Sequence, residues 1–135
     1  MAARSEISKK NKYWIDRHRH YELKHFCLQY PSWKKSYEDG LYISTSSIDG
    51  LPRAKEPGDP TSIQAARRTY FSERIELIEK VAREADDDLY FYILKAVTEG
   101  LSYTYLKSKM NVPCGKDMYY DRYRRFFWLL DKKRN

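Results

Sequence analysis

Cysteine is scarce in this chain: Cys27 and Cys114 are the only two in 135 residues, and they lie far apart. Two such thiols form no disulfide framework and no spaced set of metal ligands. Also missing is any apolar run long enough to cross a bilayer, and there is no hydrophobic leader. The expectation is a reduced, cytoplasmic protein with no membrane partner. A Gly-rich phosphate loop, a Ser/His/Asp set in usable order and a pair of acids facing a cleft are all absent from the pattern, so neither an enzyme nor a cofactor is expected. Strand-type alternation and internal repeats are lacking too, and the chain reads as all-α.

What the chain has in quantity is aromatic volume and positive charge. Thirteen tyrosines, five phenylalanines and three tryptophans must fill much of the core, and each Tyr or Trp carries a polar tip that needs a partner when buried. The net charge of +7 is unevenly spread: residues 1–30 hold seven Lys/Arg against three Asp/Glu, residues 31–100 ten against thirteen, and residues 101–135 nine against three. Basic ends around a mildly acidic middle point to a polyanionic partner met by the C-terminal segment.

Residues 1–11 read as a disordered, charged lead-in, and 12–41 as an N-terminal helical region. Trp14, Tyr21, Leu23, Phe26, Cys27 and Tyr30 follow roughly helical spacing there, Pro31 interrupts it, and Ser32 is placed to cap a second short helix through Trp33, Tyr37 and Leu41. Residues 42–58, with several Ser, Gly and Pro, read as a loop or linker. Asp59 and Pro60 then form a helix start, an N-cap carboxylate before proline at the first helical position. The helix predicted over 59–85 has Ala66, Tyr70, Leu77 and Val81 on one stripe, with Phe71, Ile75, Ile78, Ala82 and Ala85 beside it. At roughly 40 Å it is long for a core element, so a homodimer surface along part of it and packing within its own chain are equal alternatives. Asp86-Asp87-Asp88 puts negative charge at the start of the next helix, whose apolar face is Leu89, Tyr92, Ile93, Ala96 and Val97 and whose stop is Gly100.

The region 86–135 ends in the outline of a helix-turn-helix. Ser102 is a good N-cap, Leu106 and Met110 would face the preceding helix, Asn111 suits a left-handed turn, Val112 would plug that turn, and Pro113 stops the first helix. The second helix is expected from about Cys114 or Gly115 to Lys132, with Met118, Tyr119, Tyr123, Phe126, Phe127 and Leu130 inward. Lys116, Asp117, Tyr120 and Arg124 would face outward, with Arg122 and Arg125 at the flanks; these six are the candidate contacts to double-stranded DNA. Lys116 suits phosphate or guanine, Tyr120 a thymine methyl or phosphate, Arg124 phosphate, and Asp117 would repel phosphate but accept from cytosine.

Other groupings are weaker. His18 and His25 share one helical face and His20 and Cys27 another, but the pairs do not converge on a metal; with Arg17 and Arg19 the histidines read as a mixed basic face. Cys114 at a helix start is a candidate for a lowered thiol pKa.

Tyr21-Glu-Leu-Lys24 with Tyr30-Pro31, then Gly50-Leu-Pro-Arg53, Asp59-Pro-Thr61 and the terminal helical pair resemble the RinA-type phage transcriptional regulators. The segment from Glu99 to Arg125 also resembles the promoter-reading end of bacterial sigma factors. The resemblance spans residues 21 to about 130, and the chain departs from it in its Arg/His-rich first helix, the Val112-Pro113-Cys114 turn and the aromatic run Phe126-Phe127-Trp128. It implies a sequence-specific activator of phage or mobile-element genes that contacts RNA polymerase. Two other classes compete: a small terminase-like packaging protein, which would assemble into rings, and an interaction module that docks on RNA polymerase or another phage protein without touching DNA.

Overall fold

The computed structural model describes residues 9–43 and 60–134, and these form helices joined by short turns, with no strand among them. The elements are α1 (Arg17–Leu28), α2 (Tyr30–Ile43), α3 (Pro60–Ala85), α4 (Tyr90–Glu99), α5 (Tyr103–Met110) and α6 (Lys116–Arg134). The expected disorder over residues 1–8, most of the expected linker, the Asp59 cap and the Gly50-Leu-Pro-Arg53 motif lie outside the described residues.

The chain divides into two units, one of Tyr30–Leu77 and one of Met1–Gln29 with Ile78–Asn135. In the first, α2 begins at Tyr30 rather than at a Ser32 cap, and Pro31 sits in its first turn. Proline is tolerated there because a first-turn N–H has no intrahelical acceptor to lose. Trp33 and Ile75 are this unit's buried apolar residues among those described. Two members of the stripe expected along α3 are exposed, Ala66 and Tyr70. Tyr70 instead serves as a platform: the Arg74 guanidinium lies 3.5 Å from its ring centroid, a cation–π contact that an exposed aromatic can make without entering a core.

The larger unit is built from local signals that do match the chain. Asp16, just ahead of α1, accepts from the His18 backbone N–H at 3.0 Å, so the helix starts at Arg17 rather than near Lys12. Its buried positions, His20, Leu23, Phe26 and Cys27, recur every three to four residues and form one face. That face packs on α4 and α6. Gly100 closes α4 at φ 72°, a left-handed conformation that costs a residue with a Cβ about 1 kcal/mol. Ser102 caps α5 by accepting from the Tyr105 N–H at 3.1 Å. Asn111 ends α5 at φ 54°, and the next residue, Val112, is buried and donates its N–H to the Leu106 carbonyl at 3.2 Å. Leu23, Ile78, Val81, Ile93, Leu106, Val112, Phe126, Phe127 and Leu130 are almost fully buried. Each large aliphatic or aromatic side chain among them contributes roughly 1.5–3 kcal/mol by leaving water.

The three aspartates lie immediately before α4, and Asp86 does more than place charge there. The residue capping α4 is Leu89, with no side-chain cap bond. Asp86 instead closes the preceding turn, accepting from the Asp88 N–H at 2.8 Å and the Leu89 N–H at 3.0 Å, and pairs with Arg122 of α6 at 2.7 Å. Burial opposes its charge, but Arg122 and the two backbone donors outweigh it and hold the carboxyl below its ordinary value.

His20 is a second correction. It was expected on a basic outer face, yet it is 5 % exposed, with its ring 4.8 Å from Phe127 in an edge-on contact. The α1 face that docks on α6 carries it inside. Its Nε2 has no hydrogen-bond partner among the described residues, and burial, with a smaller contribution from Lys24, pushes its pKa down to about 4.

Candidate nucleic-acid interface

The candidate residues sit on α6, whose orientation is set by a wall of aromatic rings. Tyr119, Phe126, Phe127 and Leu130 are buried; Tyr119, Tyr120 and Tyr123 pack against one another, and Tyr119 and Tyr120 also against Tyr103 of α5, at centroid separations between 5.2 and 6.3 Å. The Tyr103 hydroxyl donates to the Cys114 carbonyl at 2.9 Å, tying α5 to the connection 111–115. Burial raises the phenol pKa of both Tyr119 and Tyr123. These rings are therefore neutral packing groups.

Tyr120 belongs to that wall. It is 7 % exposed, so its expected outward role is overturned; the inward arc of α6 is broad enough to take two consecutive tyrosines. The opposite correction applies to Met118, expected inside but 45 % exposed. On a helix, Met118, Asp121 and Arg125 lie three or four residues apart and share the face turned away from the rings.

The cations separate into two groups. Arg122 is held by Asp86 at 2.7 Å and also pairs with Asp121. Arg125 is half-buried, donating to the Tyr13 hydroxyl at 3.3 Å and the Glu84 carbonyl at 3.4 Å. Arg124 is half-buried as well. Arg122 and Arg125 brace α6 against its neighbours. By contrast Lys116 and Asp117, in the first turn of α6, are exposed. So are Lys107 and Lys109 in the last turn of α5, two cations that the sequence reading passed over. Leu106 and Met110 were read as the inner face of α5, and helical periodicity then leaves Lys107 and Lys109 outside; that was the available signal.

The Cys114 thiol is raised above its ordinary value by burial, against the opposing pull of Lys107, so the lowered pKa expected at a helix start is overturned. Among the described residues no group of three or more His, Cys, Asp or Glu is placed to hold a metal ion, and no helix is long and apolar enough to cross a membrane. No family model, curated protein or solved structure matches the chain.

Proposed function

We propose that this chain binds double-stranded DNA through a helix-turn-helix made of α5, the connection 111–115 and α6, and that it regulates transcription of phage or mobile-element genes. The observation that carries the reading is the bare leading turn of α6. Lys116, Asp117 and Met118 all face solvent there, while Tyr119 and Tyr120 directly behind them anchor the helix. A rigid helix with an open N-terminal end is what entry into a major groove needs, since its first turns reach the base edges. Lys107, Lys109 and Lys116 supply cations for phosphate near that end, and the partial positive charge of the helix N-terminus adds to them. Asp117 works against this field and is the one unfavourable group in the leading turn. The resemblance to RinA-type regulators favours an activator that also meets RNA polymerase.

The test is an electrophoretic shift assay on duplexes selected by the protein from a random pool. Replacing Lys107, Lys109 and Lys116 together by Ala should weaken binding at least tenfold and leave the far-UV helical signal unchanged, because none of the three is buried. A variant that binds the selected duplexes as tightly as the parent would refute the assignment.

A further inference from the structure

We infer that Met118 is a specificity-determining residue whose side chain packs on the 5-methyl group of a thymine in the major groove. The inference rests on the DNA-binding reading above and gives that site a base preference. Met118 is 45 % exposed, yet the two residues that follow it are among the buried aromatics, so its exposure reflects the face it occupies and not a loose helix end. It is the apolar side chain in a leading turn otherwise made of Lys116 and Asp117. Exposed apolar surface at the tip of a charged helix gains most from a partner that is itself apolar. In the major groove that feature is the thymine methyl. An unbranched thioether is long and adaptable enough to settle on it.

Gly115 supplies an independent observation. Its φ is not in the left-handed region, and a Cβ built there meets nothing within 4 Å. Neither backbone conformation nor internal packing therefore requires glycine at this position. The missing side chain keeps the tip of α6 slim just ahead of Met118, which favours close approach of an external surface.

The probe is the duplex selected by the wild-type protein, with each thymine replaced in turn by uracil, a change that removes only the methyl group. One such replacement per bound α6 should weaken wild-type binding about fourfold, what burial of a single methyl is worth. Met118→Ala should bind the thymine and uracil duplexes equally at that position, while Met118→Leu should keep the preference. Wild-type protein that binds every uracil duplex as tightly as its parent, or Met118→Ala that keeps the full preference, overturns the inference while leaving DNA binding intact. Wild-type protein that selects no duplex at all overturns the DNA-binding reading, and this inference with it.

Discussion

Protonating His20 would place a cation edge-on against Phe127, with Lys24 nearby and no acceptor for the Nε2 proton among the described residues. The folded imidazole titrates at about 4, below the ordinary value of 6.5, so folding disfavours the proton. Stability from this residue is fully present above about pH 6.5. It declines as the unfolded chain takes up the proton, by at most about 3 kcal/mol by the time the pH has fallen through 4. Urea denaturation of wild type should show a falling midpoint over that range, and His20→Phe should show a visibly flatter profile; parallel profiles would mean that His20 is not the group responsible. Tyr120 gives a second prediction at this scale. Because it is packed among Tyr103, Tyr119 and Tyr123, Tyr120→Ala should cost about 3 kcal/mol of unfolding free energy, in the manner of other large aromatic truncations. A change near zero in the denaturation midpoint would place the ring outside the core. The amphipathic character of tyrosine is why this residue was misread: its hydroxyl makes an outward role chemically sensible, and only packing decides.

Among the elements, those governed by near neighbours were legible in the sequence and those governed by distant packing were not. Gly100, Ser102, Asn111 and Val112 perform the turn and cap roles that their local chemistry implies. Asp86 likewise accepts from backbone donors two and three residues on, as a capping carboxylate does, but its other partner, Arg122, is 36 residues away, and no helix-capping rule anticipates a contact at that separation. The rotation of α6 about its own axis was lost for a similar reason. With apolar or aromatic residues at 118, 119, 120 and 123, several inward faces fit the spacing, and the rings of Tyr103 and Phe127 settle which one is used. The Asp86–Arg122 link ties the turn before α4 to α6. Asp86→Ala should therefore cost about 1–2 kcal/mol, since it removes the acceptor of two backbone donors and leaves Arg122 with Asp121 as its acidic partner. Its contribution is present above the ordinary carboxyl pKa and is lost as the pH falls through the lowered folded value. Equal stability of wild type and Asp86→Ala at neutral pH would contradict that role. Gly100→Ala should cost about 1 kcal/mol from the left-handed backbone alone, since the nearest atom to an added Cβ, a Leu28 methyl, lies 3.8 Å away in ordinary contact.

For the molecule as a whole, the nine cations of residues 101–135 are not equivalent. Arg122 is paired with acids, Lys133 lies 3.5 Å from Glu84, Lys132 sits over Trp128, and Arg134 over Phe26. Two of these four cations are thus paired with acids and two lie over aromatic rings, which the composition does not reveal. Lys107, Lys109 and Lys116 make no ion pair among the described residues and remain exposed around the junction of α5 and α6. In the proposed function the polyanion contact falls to these three lysines, in the last turn of α5 and the first turn of α6. Binding of a fluorescent selected duplex, measured across a salt series for wild type and for the Lys107/Lys109/Lys116→Ala variant, addresses that assignment directly. Wild-type affinity should fall steeply with salt, and the slope of log affinity against log salt should be shallower in the variant by about one for each lysine that meets a phosphate. Equal slopes for the two proteins, or wild-type affinity indifferent to salt, would contradict it.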